Sequence, residues 1–95
     1  MNRYCYILHF DRPFHHAKHY VGSADNVTER VAKHQSDQCD VKILIAAKAQ
    51  GIGFTLAKTM RNSRKGRANK TKEYRIKASG GVGKQGLCPI CKRQQ

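Results

Sequence analysis

The stretch Tyr4-Cys5-Tyr6-Ile7-Leu8-His9-Phe10 decides how this chain folds. It is rich in aromatic and branched residues and reads as a β-strand, ending at Asp11-Arg12-Pro13 where a proline stops regular pairing. Residues 14–18 read as a loop carrying His15 and His16. Strand character resumes at His19-Tyr20-Val21 and breaks at Gly22-Ser23, with Gly22 read as a turn residue. The two strands therefore form a hairpin with a long connection. Asn26, with Glu29 three residues on, has the spacing of a capping box; Val27, Val31 and His34 then share one face of a helix, with Arg30 one turn before His34.

Beyond residue 40 the signals are shorter. In Val41-Lys42-Ile43-Leu44-Ile45 the alternation predicts a third strand, with helix the weaker alternative. After Gly51 and Gly53, the helical spacing of Leu56, Ala57 and Met60 predicts a short helix over the sheet. Residues 61–70 are basic and poor in large apolar side chains, which predicts a mobile loop ordered by its ligand. Thr71 to Ala78 reads as a helix carrying Glu73, Tyr74 and Ile76, stopped by Ser79-Gly80-Gly81. The expected class is α+β, a small three-stranded, mostly antiparallel sheet flanked by helices. Residues 1–78 form the domain, and 79–95 a glycine-rich linker and a tail containing Cys88-Pro89-Ile90-Cys91. At 95 residues, a second domain has no room.

Charge points to the partner. The net charge is +13, and residues 1–40 contribute nothing to it, with five basic and five acidic side chains. Residues 41–95 hold fourteen basic side chains and one acid, Glu73. Such a field concentrates polyanions, so nucleic acid is the expected partner. A membrane is not: the apolar stretch Ile43 to Ala47 is far too short to span one, and no basic amphipathic helix with large apolar residues is evident. The N-terminus lacks the apolar run of a secretion signal, so the expectation is cytoplasmic. The four cysteines, Cys5, Cys39, Cys88 and Cys91, are too few and too unevenly spaced for a disulfide scaffold, leaving free thiols or a metal site. Glu73, among Lys70, Lys72, Arg75 and Lys77, has two readings: a helix-face pair with Lys77, or a ligand for a cation that phosphate chemistry needs.

Tyr4-Cys5-Tyr6, then thirteen residues, then Tyr20-Val21-Gly22, then Arg30 and His34 one turn apart on a helix, resembles the GIY-YIG nuclease signature. Glu73-Tyr74-Arg75-Ile76-Lys77 is similar to the segment in which that superfamily's metal-binding glutamate begins a basic helix. The Gly80-Gly81 and Cys88-Pro89-Ile90-Cys91 tail resembles short bacterial members. Two features depart from the pattern: Tyr4 stands at the first glycine, and the loop before Glu73 is long and very basic.

The resemblance implies a metal-dependent endonuclease hydrolysing phosphodiester bonds, with DNA the favoured substrate. Glu73 would hold Mg²⁺ or Mn²⁺, and Arg30 would clamp a phosphate oxygen with its planar fork. Tyr6 would serve as general base with Tyr20 in support, and His34 would orient Tyr6 or bind phosphate. An unperturbed phenol has a pKa of about 10, so this role calls for a downward shift, expected from the guanidinium, the metal and the positive field. Lys18, Arg61, Arg64, Lys65, Arg67, Lys70 and Lys72 would contact phosphates, as would a loop tip at His15 and His16. A homodimer is the simplest way to cut both strands.

Each residue also has a plainer reading: sheet tyrosines with satisfied hydroxyls, a surface pair for Arg30, a core histidine at 34. The alternative function is a catalytically inactive nucleic-acid-binding module of the same fold. Cys88 and Cys91 have the gap of half a zinc site, but tetrahedral zinc takes four ligands. Cys39, His15, His16, His19 or a second subunit would have to supply the rest, and a tail whose cysteines pack against the domain is the favoured alternative.

Overall fold

In a β-strand successive side chains point to opposite faces, so a strand buried at every position must be covered from both sides. Cys5 to Phe10 are all buried, and the computed structural model places them in the central strand of the sheet. It describes residues 3–15, 17–36, 38–79, 81–82 and 86–93, the side chains of 92 and 93 excepted. Strand β1 (Tyr4–Phe14) pairs antiparallel with β2 (Ala17–Ala24) and with β3 (Phe54–Arg61), in the order β2-β1-β3. Helices α1 (Val27–Gln35) and α2 (Lys42–Ala49) lie between β2 and β3 in sequence. A ribbon of β4 (Arg64–Lys65) and β5 (Lys70–Thr71) leads into α3 (Lys72–Ala78), and α4 (Pro89–Arg93) follows in the tail. The class is α+β with a three-stranded antiparallel sheet, as expected from the sequence.

The two faces of β1 anchor two clusters. Tyr6, Leu8 and Phe10 pack with Val27 and Val31 of α1, Leu44 and Ala47 of α2, and Ile52 and Phe54. Cys5 and Ile7 pack with Val21, Ile76 of α3, Val82 and Cys88. Helix α1 starts at the expected Asn26 cap: Asn26 accepts from the Glu29 backbone N–H at 3.1 Å, its side-chain amide donates to the Glu29 carboxylate at 3.3 Å, and Val27, Val31 and His34 are buried. Helix α3 likewise starts at a Thr71 cap, whose hydroxyl accepts from the Tyr74 N–H at 3.3 Å. Of its expected stop signal, Gly80 lies outside the described residues.

Four expectations are corrected. Residues 41–45 open helix α2 and are not a strand. Three alternating positions, 41, 43 and 45, are outweighed by the following Ala46-Ala47-Lys48-Ala49, all helix formers, and the buried residues Leu44 and Ala47 are three apart while Ile45 stays 46% exposed. The third strand is instead β3, where a helix was expected. Leu8 pairs with Leu56 and Ile7 with Lys58, so a bulge at Ala57 breaks the period of two, and Ala57 and Met60 reach the same cluster at a spacing that imitates a helix. The expected loop at 61–70 is the β4–β5 ribbon, whose turn uses positive φ at Gly66 (83°) and Asn69 (53°) and is closed by the Arg64 guanidinium donating to the Asn69 carbonyl at 3.0 Å. The β1–β2 connection is short, because Phe14 pairs with Ala17; Pro13 falls where the register shifts.

Two substitutions test this assignment of α2. Leu44→Ala is expected to cost about 2–5 kcal/mol as a buried truncation, and Ile45→Lys to stay within about 0.5 kcal/mol. Urea unfolding of both variants measures this, and the strand reading requires the opposite order.

Candidate active site

The register of the hairpin sets the site. Tyr6 lies directly opposite Gly22 in the β1–β2 ladder. A Cβ at Gly22 would stand 2.5 Å from the Tyr6 hydroxyl and 3.0 Å from the Tyr20 ring. Gly22 is therefore not a turn residue, as the sequence suggested; it lies inside β2, and its bare backbone is the floor on which the Tyr6 ring rests.

The Tyr6 hydroxyl ends 2.7 Å from His34 Nε2, and both side chains are buried, at 1% and 0% exposure. Burial lowers the pKa of His34 from its ordinary 6.5, and the Arg30 charge pushes the same way. A neutral imidazole has one acceptor nitrogen; because the Cys39 thiol already donates to the Val41 carbonyl at 3.9 Å, we assign Nδ1 as donor toward Cys39 Sγ at 3.8 Å and Nε2 as acceptor of the Tyr6 O–H. The carbonyl of His34 and that of Ser36 accept from Lys48 Nζ at 3.2 and 2.7 Å, which ties α2 to the C-terminal end of α1.

Arg30, one turn before His34, interacts with the Tyr6 hydroxyl, which holds the guanidinium's pKa above its ordinary value. Its Nε is buried with no hydrogen-bond partner among the described residues. Arg30 also borders an open cleft of about 380 Å³ lined by Ser23, Asp25, Asn26, Glu29 and Lys33. The Tyr20 ring stands 6.3 Å from that of Tyr6 and 5.9 Å from that of His34.

Glu73 reaches the same corner from α3. One of its oxygens accepts from the Ser23 hydroxyl at 2.5 Å and the other from Lys77 at 2.9 Å. Burial by itself would raise this carboxyl, but the Ser23 hydroxyl and Lys77 hold it below its ordinary value, so it is ionised. The helix pair with Lys77 is thus present, and Lys77 Nζ also lies 5.9 Å over the Tyr20 ring. The Glu73 N–H donates to Asn62 Oδ1 at 3.0 Å, and Arg75 donates to the Ser63 carbonyl at 2.7 Å, so the segment after β3 sets the start of α3.

The expected downward shift at Tyr6 is reversed. Burial pushes its pKa up to about 12, further than the nearby Arg30 pulls it down. Tyr20 is also raised, again by burial.

Five expected site residues thus come together: Tyr6, Tyr20, Arg30, His34 and Glu73. Of the basic residues, Arg64, Lys65, Arg67 and Lys70 share the β4–β5 ribbon, flanked by Arg61 and Lys72. Lys18 does not join them, because the ladder places it at the other end of the sheet. His15 sits at the β1–β2 turn with φ 56°, and His16 lies outside the described residues. Ser23 escaped the sequence reading, its usable signal being its place beside Gly22, and Cys39, expected as a free thiol or a metal ligand, faces His34. A second group, His9, His19, Cys88 and Cys91, gathers on the opposite face of the hairpin, and of these His9 was not anticipated. No family model, curated protein or solved structure matches the chain.

Gly22→Ala is expected to displace the Tyr6 phenol and cost about 1–3 kcal/mol, read by urea unfolding. His34 also makes stability depend on pH. Its folded pKa lies below the unfolded 6.5, so the unfolded chain binds the proton first and stability falls as pH drops below about 6.5. Melting of the wild type and His34→Gln between pH 7.5 and 5.5 should show a smaller drop in the variant; equal drops would exclude this role.

Proposed function

We propose that this chain is a metal-dependent endonuclease of the GIY-YIG type that hydrolyses phosphodiester bonds, with DNA as its substrate, in the cytoplasm. The observation that carries the reading is the Arg30 guanidinium at the edge of an open cleft, beside a tyrosine hydroxyl already engaged with a neutral histidine. An anionic phosphoryl oxygen in that cleft would draw on charge-assisted bonding to this guanidinium.

Hydrolysis needs a base for the attacking water. A free Tyr6 phenolate is disfavoured in this buried setting, but His34 Nε2 is placed to accept the phenolic proton as Tyr6 takes one from water. The proton then moves through two short steps, with Arg30 stabilising negative charge on the phenol oxygen between them. Tyr20 and Lys77 form the wall on the side of β2. Glu73 suits a hard divalent cation: it is ionised, partly exposed and, with one hydrogen bond on each oxygen, still has a lone pair on each. Mg²⁺ or Mn²⁺ held there would neutralise charge on the phosphoryl and leaving oxygens. The β4–β5 ribbon supplies Arg64, Lys65, Arg67 and Lys70 for backbone contacts, which position a substrate without reading its sequence.

A second reading is a nucleic-acid-binding module without turnover. It is favoured by the raised Tyr6 pKa and by the Lys77 ammonium already seated on Glu73. Supercoiled plasmid and a panel of branched oligonucleotides with Mg²⁺ or Mn²⁺ separate the two. Metal-dependent nicking is expected from the wild type and a loss of at least about 100-fold in Tyr6→Phe and Glu73→Ala, with binding retained at matched salt. Tight binding without cleavage on every substrate would leave the binding module as the better account.

A further inference from the structure

We propose that His9, His19, Cys88 and Cys91 form a closed structural zinc site that pins the tail to the β1–β2 hairpin, on the face opposite Tyr6. The ligand atoms of the four all lie within 4.8 Å of one another. Tetrahedral zinc, with Zn–N near about 2.05 Å and Zn–S near about 2.3 Å, requires N···N edges of about 3.3–3.4 Å and N···S edges of about 3.5–3.6 Å. The structure has His9 Nδ1···His19 Nε2 at 3.4 Å, His9 Nδ1 to Cys88 Sγ at 3.5 Å and to Cys91 Sγ at 3.6 Å, and His19 Nε2 to Cys91 Sγ at 3.3 Å. These four edges match a tetrahedral shell, and the two others, His19 to Cys88 and Cys88 to Cys91, lie within 4.8 Å.

Two separate pieces of the fold, the β1–β2 ladder and the tail, produce it. His9 and His19 are direct cross-strand partners, so the ladder holds their rings side by side on the face that also carries Ile7 and Val21. Cys88 and Cys91 enclose Pro89 and Ile90 at the start of α4, a two-residue gap that lets both sulfurs turn to one point. Cys88 is 2% exposed, and it lies in the cluster of Cys5, Ile7 and Ile76.

The donor set selects the metal. Two thiolates and two imidazoles suit Zn²⁺, whereas Mg²⁺ takes oxygen ligands, so this site and Glu73 would not compete for one ion. Two thiolates also neutralise the dication, and binding releases the two thiol protons to solvent. Four protein ligands leave no open position for water or substrate, which makes the role structural. A chain this small has a limited core, and a metal link between its tail and its central hairpin is a common remedy.

The test loads full-length protein with Zn²⁺ under reducing conditions, removes free metal by gel filtration and measures bound zinc. About one zinc per chain is expected, with Co²⁺ loading giving the d–d and thiolate charge-transfer bands of a tetrahedral site. Cys91→Ser and His9→Asn should each lower zinc retention at least about tenfold. Cys39→Ser and Glu73→Ala should retain it, which separates this site from the proposed nuclease centre. Should the ligand variants fail to fold, the wild-type stoichiometry and cobalt spectrum decide. Metal-free wild type after loading, with Cys88 and Cys91 reacting equally fast with a thiol reagent with or without zinc, would overturn the proposal.

Discussion

Burial of β1 on both faces is the constraint on which the rest of the structure depends. A three-stranded sheet in a chain this small has one central strand, and Cys5 to Phe10 are buried along it. The strand's period of two then sorts chemistry by parity. Even positions carry Tyr6, Leu8 and Phe10 against α1 and α2; odd positions carry Cys5, Ile7 and His9 toward α3 and the tail. A register slip of one residue would exchange the two sets, so the pairing of β1 with β2 specifies both clusters at once.

Polar groups placed in such a core must find partners, and those of the Tyr6 corner show the consequence. The phenol is bonded to His34, whose second nitrogen faces Cys39, while the backbone carbonyl of His34 is held by Lys48. Gly22 contributes by leaving room for the phenol. Strand β2 and helix α1 therefore meet at one hydroxyl of β1, Lys48 and Cys39 brace His34 behind it, and Arg30 has a buried donor still unmatched among the described residues.

Legibility in the sequence followed the length and regularity of the local signal. Tyr4 to Phe10 is long and unbroken, and Asn26 with Glu29 is a local cap needing no tertiary information, so β1 and α1 were readable. Helix α2 and strand β3 were exchanged for physical reasons. Alternation over Val41 to Ile45 is too short to separate the two periods, and the bulge at Ala57 converts a strand's spacing into a helix's. Tyr6, Tyr20, Arg30, His34 and Glu73 were legible because their spacing resembles a known pattern, although nothing local announced that Ser23 would bond Glu73. His9 was missed because, inside an apolar strand, a histidine looks like one more core residue. Its significance appears only when the ladder sets it opposite His19, far along the chain from Cys88.

The charge state of the corner bears on how a site of this kind would work. His34 is held neutral and Tyr6 protonated, both by burial, while Arg30, Glu73 and Lys77 carry the standing charge. Glu73 and Lys77 offset one another, which leaves the Arg30 charge beside a neutral pair. An anion entering the cleft meets the Arg30 guanidinium and Lys33, with Asp25 and Glu29 on the same wall and Asp40 acting on Arg30, and its arrival counters the field that Arg30 exerts on His34. Reducing that field makes a protonated His34 less costly, so His34 accepts the phenolic proton more readily once phosphate is bound than before. On the proposed reading, the base is therefore weak in the free protein and strengthened by its own substrate, and the raised Tyr6 pKa describes the resting state of the site.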